Sequence, residues 1–142
     1  MMRENTVYVD LNGLTAEEID QLKAAAGPLG ADLEDLSVQM GAEELLPYAP
    51  VVIALLKPFL QKAAEVAAPQ LNTFLERAFA GRRNRTVYLE DLDVYLLWGS
   101  NAEKQRTAAL QAIRLLEPGA FRPGVTLTFN TDSGRWQEPG QD

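Results

Sequence analysis

The side chains able to do chemistry in this 142-residue chain are carboxylates and guanidiniums, because it has no histidine and no cysteine. The commonest general base, the commonest zinc ligand and the usual near-neutral proton switch are therefore missing. Ser-His-Asp and Cys-His centres cannot be assembled, nor can a disulfide framework or a thiolate metal site. Three charged groupings remain. Glu90, Asp91 and Asp93 form the densest acidic spot of the second half, and clustered oxygens are what Mg²⁺ or Ca²⁺ requires. No D-x-D-x-D-G loop accompanies them, and Asp10-Leu-Asn-Gly13 matches only the start of one, so they are read as a solvated hairpin turn. Glu17, Glu18 and Asp20 could supply paired carboxylates of the glycosidase kind. More simply, they fit the first turns of a helix, where negative charge is favoured. Arg82, Arg83 and Arg85 could grip phosphate. Following a long helix, they also complement its carbonyl end.

Phosphate loops of the G-x-G-x-x-G or G-x-x-x-x-G-K-[ST] kind are absent. No catalytic, metal-ligating or cofactor-binding residue is assigned, and no cofactor is expected. Trp98, at a strand end, is assigned to the core. Trp136 lies in a late polar segment, and tryptophan is a favoured anchor at protein interfaces. The candidate interaction residues are thus Arg82, Arg83, Arg85 and Trp136.

Charge is unevenly spread. Residues 1–46 hold ten acids and two bases, whereas residues 47–142 hold ten acids and eleven bases, for an overall charge of −7. That balance opposes general nucleic-acid binding, which needs clustered Lys and Arg. It suits a soluble protein, and an acidic end suits a basic protein partner.

Elements to position these residues follow from periodicity. Val7, Val9 and Leu11 alternate on one face of a strand beginning at Thr6. Thr15-Ala-Glu-Glu18 is a capping box, flanked by Leu14 and Ile19 as a hydrophobic staple, for a helix ending at Gly27-Pro28. Leu33 to Met40 is a second strand, closed by Gly41, which makes a βαβ-like unit if the two strands are parallel neighbours. Residues 47–80 read as the dominant helical region. Leu71, Phe74, Leu75, Ala78 and Phe79 form its stripe, Ile53, Leu56, Leu60, Ala64 and Ala67 extend it backwards, and Gly81 caps it. Pro58 and Pro69 should bend or break it, giving one kinked helix or two. Arg85 to Glu90 and Val94 to Trp98 form a hairpin. A capping box at Ser100 to Glu103 opens a helix to Leu116, with Ala109, Ile113 and Leu116 inward. Val125 to Asn130 is the last strand, and Arg135-Trp136 returns briefly.

The expected fold is a two-layer α+β sandwich: a mixed sheet of about five strands with helices mainly on one face, in the order βαβ, long kinked helix, ββ, α, β. One domain spans residues 1–136, and 137–142 form a disordered tail. The apolar stretch Leu45 to Leu56 is too short to cross a bilayer, which takes about 20 residues. It is read as a buried helix start. No leader is visible, so a cytoplasmic protein without membrane contact is expected.

The order of elements from Thr6 to Leu116 resembles the effector-associated constant component family, small domains of bacterial conflict and signalling systems. The local match is best from Leu71 to Glu90, where an amphipathic helix runs through Gly81-Arg-Arg into Thr86-Val-Tyr-Leu. The chain departs from that family in lacking its glycine-rich apolar run and in adding Phe121 to Asp142. The resemblance implies a non-catalytic adaptor beside an effector or protease-like partner, as in antiphage defence, and it carries over no catalytic residue. The residues themselves also allow an acidic immunity or inhibitor protein that blocks a basic toxin or enzyme, or a small carboxylate- or metal-dependent enzyme. A protein partner is expected in the first two cases, and a homo-oligomer is compatible with either.

Overall fold

Strand-forming Thr, Val and Tyr at Thr6–Val9 (β1) lead into a helix at Ala16–Ala26 (α1). The capping box is formed as expected: the Glu18 amide donates to Thr15 Oγ1 at 3.1 Å, and the Thr15 amide donates to Glu18 Oε1 at 2.9 Å. A 3-10 turn at Gly27–Leu29 ends the helix, and Gly30, at φ 68°, supplies the left-handed residue that turns the chain. The computed structural model describes residues 5–36, 51–80, 85–99, 102 and 104–139. The remaining elements are β2 (Asp32–Asp35), β3 (Val51–Leu55), α2 (Lys57–Val66), α3 (Ala68–Phe79), β4 (Thr86–Leu89), β5 (Val94–Leu97), α4 (Arg106–Gln111) with a 3-10 turn at Ala112–Leu115, β6 (Val125–Asn130) and β7 (Arg135–Gln137).

The architecture is α+β, with one mixed sheet ordered β2-β1-β3-β4-β5-β6-β7 and helices packed on it. Pairings alternate between parallel and antiparallel from β2 to β7. Three βαβ units result, because each parallel neighbour is reached through helix. If β1 points up, then β2, β5 and β6 also point up, and the other three strands point down. The steps β1 to β2 and β3 to β4 are then equivalent by rotation within the sheet plane. The step β5 to β6 goes the other way. The described helices share one core, so the third crossover has the opposite hand to the first two.

Alternation along the strands sorts the core. Val9, Ile53, Val87, Leu96 and Leu127 stand in one register row on the helix side. They join Leu22 of α1, Leu60 of α2, Leu71, Phe74 and Phe79 of α3, and Ile113 in the principal cluster. Each such fully buried aliphatic or aromatic side chain contributes about 1.5–3 kcal/mol. The opposite face has a second, smaller cluster of Tyr8, Leu36, Val51, Ala54 and Tyr95, with Tyr88 at its margin.

Two expectations change. Seven strands are present among the described residues where about five were expected. The main reason is residues 51–55, which read as the start of a helix and form the fully buried strand β3. Val-Val-Ile-Ala-Leu is a continuous apolar run, as in a central strand covered on both faces, and periodicity alone does not separate that from buried helix. Its three β-branched residues favour the strand. The helical region therefore starts at Lys57, and it is two helices meeting at Ala67. Pro58 and Pro69 are each the second residue of a helix. They open helices at positions where the missing N–H has no intrahelical acceptor.

The hairpins at β4/β5 and β6/β7 form as expected. Strand β7 includes Gln137, so the returning strand extends one residue past Trp136. Ala109, Ile113 and Leu116 are buried as expected, the helix tightening to 3-10 geometry after Gln111. Expectations on residues 37–50, on Gly81 as a cap, on the Ser100 capping box and on residues 140–142 lie outside the described residues. No described helix is long and apolar enough to cross a membrane.

Candidate functional site

Two of the three acidic residues of the hairpin turn, Asp91 and Asp93, make contacts that hold the fold together. Asp91 Oδ1 accepts from the Lys57 amide at 2.9 Å, at the first residue of α2. That helix has Leu56 at its own cap position, with no side-chain acceptor, so an aspartate 34 residues away serves instead. Its negative charge also faces the positive end of the helix dipole. Asp93 Oδ1 accepts from the Tyr88 hydroxyl at 2.8 Å. Asp93 adopts φ 51°, a conformation that Asp tolerates better than most residues, and its carbonyl receives the Gly124 amide at 2.6 Å. The turn thus ties together the start of α2 and the entry to β6. Burial pushes the Tyr88 hydroxyl well above its ordinary range, and the bond to Asp93 and that carboxylate's charge push it further. Among the described residues, no group of three His, Cys, Asp or Glu is placed to hold a metal ion.

Of the candidate interaction residues, Trp136 is withdrawn into the core. It is 3% exposed, and its Nε1 donates to the Ala109 carbonyl at 2.9 Å. Its ring lies 5.3 Å from Trp98 and 5.6 Å from Phe129, centroid to centroid. The expectation of a partner-facing Trp136 is therefore corrected. The flanking sequence is polar because β7 is a hairpin edge strand, and only its central residue points inward. Trp98 is core, as expected. Arg85 immediately precedes β4, and its carbonyl accepts from the Trp98 amide at 2.7 Å. Arg82 and Arg83 lie outside the described residues.

The unit β1-α1-β2 places the described charge of the first segment at one edge of the sheet, on both of its faces. Between Thr6 and Asp35 it has seven acids and one base, Lys23. Strand β2 ends the sheet order, and its alternating exposure turns Asp32 and Glu34 outward. Helix α1 crosses from β1 to β2 with Glu17, Glu18 and Asp20 all exposed. Local bonds fix this unit. Asp35 Oδ1 accepts from the Leu11 amide at 3.4 Å, Asp10 Oδ1 accepts from the Asn12 amide at 3.0 Å, and Arg77 Nη1 of α3 donates to Gln21 Oε1 at 3.2 Å.

One feature was missed from sequence. Glu34, Tyr8, Ala54, Tyr88, Tyr95 and Thr126 form a single register row on the face opposite the main helix layer. Tyr88 and Tyr95 stack with ring centroids 4.6 Å apart. Ala54 separates Tyr8 from Tyr88 in the row, and Leu36 belongs to the same cluster. The available signal was the near-identity of Thr6-Val-Tyr-Val-Asp10 and Thr86-Val-Tyr-Leu-Glu90, two strands that flank β3 with the same residues on the same face.

No protein-family model, curated protein or solved structure matches the chain.

Proposed function

We propose that this chain is a non-catalytic protein-interaction module, an adaptor beside an effector of a bacterial conflict system, working in the cytoplasm. Its partner-facing surface is the acidic β1-α1-β2 side. The supporting observation is that exposed acids occupy this edge of the sheet on both faces, Asp32 and Glu34 on the terminal strand and Glu17, Glu18 and Asp20 on the helix that crosses to it. A one-signed surface speeds encounter with an oppositely charged partner and rejects like-charged ones. The tying of Asp91 and Asp93 into backbone and tyrosine contacts favours an interaction role over carboxylate or metal chemistry at that turn.

The same surface would serve an immunity or inhibitor protein that blocks a basic toxin or enzyme. The two roles differ in what docking does to the partner, since an inhibitor abolishes its partner's activity. Affinity capture with the tagged full-length chain from its native host, at low and at high salt, tests the reading. A specific basic partner retained at low salt and lost at high salt is expected. Capture insensitive to salt would overturn the acidic surface as the contact.

A further inference from the structure

We draw no further inference here: the strongest candidate, the apolar groove of about 340 Å³ where the 3-10 turn at Gly27–Leu29 meets Phe59, Ala63 and the 73% exposed Val66 of α2, has nothing in the structure to show what covers it.

Discussion

Replacing Asp91 with alanine removes the acceptor that caps α2 from across the sheet. The lost bond is the 2.9 Å contact with the Lys57 amide, and Leu56 has no side-chain acceptor to take over. Loss of an N-terminal cap costs typically about 1 kcal/mol, and loss of the charge at a helix N-terminus about 0.3–1 kcal/mol. Asp91 is exposed, so the lower end of the charge effect applies and the expected destabilisation is about 1–1.5 kcal/mol. For a chain of this size that is a fall in Tm on the order of 4 °C. Asp91→Asn keeps an acceptor oxygen in place and should cost only about 0.3–0.5 kcal/mol. Urea melts of the wild type and both variants measure the differences. Thermal melts in EDTA and in CaCl2 separate a structural carboxylate from a metal ligand, because a bound ion would raise the wild-type Tm by mass action. Equal wild-type Tm in both buffers is expected. A negligible effect of Asp91→Ala, or a calcium-dependent rise in Tm that Asp91→Ala abolishes, would refute the structural assignment of the turn.

Thr15→Ala opens the capping box of α1 and should cost about 1 kcal/mol in the same urea melts; an unchanged midpoint would mean that the box carries no stability. Trp136→Phe removes the donor to the Ala109 carbonyl and leaves a cavity where the indole packed against Trp98 and Phe129, so a loss of about 1–3 kcal/mol is expected by chemical denaturation. Tyr88 should stay protonated beyond the ordinary tyrosine range in an absorbance titration. Because its folded-state affinity for the proton is raised, its contribution to stability is complete below the ordinary tyrosine value near 10 and is lost at higher pH. Tyr88→Phe should therefore make the alkaline fall in stability shallower, and an identical alkaline limb in the variant would contradict the assignment.

The strands and helices with clean periodicity were legible. Val7 and Val9 alternate, Leu71 through Phe79 repeat at helical spacing, and Thr15 and Glu18 announce a helix start. Val51–Leu55 was not legible, because an unbroken apolar run carries no period and the helical stripe from Leu60 onward could be extrapolated back through it. A proline bends or breaks a helix only from its interior, and the place of Pro58 and Pro69 at the second residue of each helix follows from where β3 ends. Trp136 shows the limit of reading exposure from neighbours, since an edge strand surrounds one inward side chain with polar ones. Asp91 could not be assigned from sequence at all, because its partner amide lies 34 residues away and becomes a neighbour only when β4 pairs with β3. The acidic side was legible as a count of charges. Its placement on the terminal strand and on the crossing helix required the strand order.

The most direct test of the proposed acidic docking surface is the capture assay repeated with Glu17→Lys, Asp20→Lys and Glu34→Lys combined. Glu18 is left intact because it completes the capping box, and a thermal melt establishes that the variant folds. Loss of the salt-sensitive partner by the folded variant is the expected result. Undiminished capture by the folded variant would contradict the assignment of the β1-α1-β2 side as the partner-facing surface.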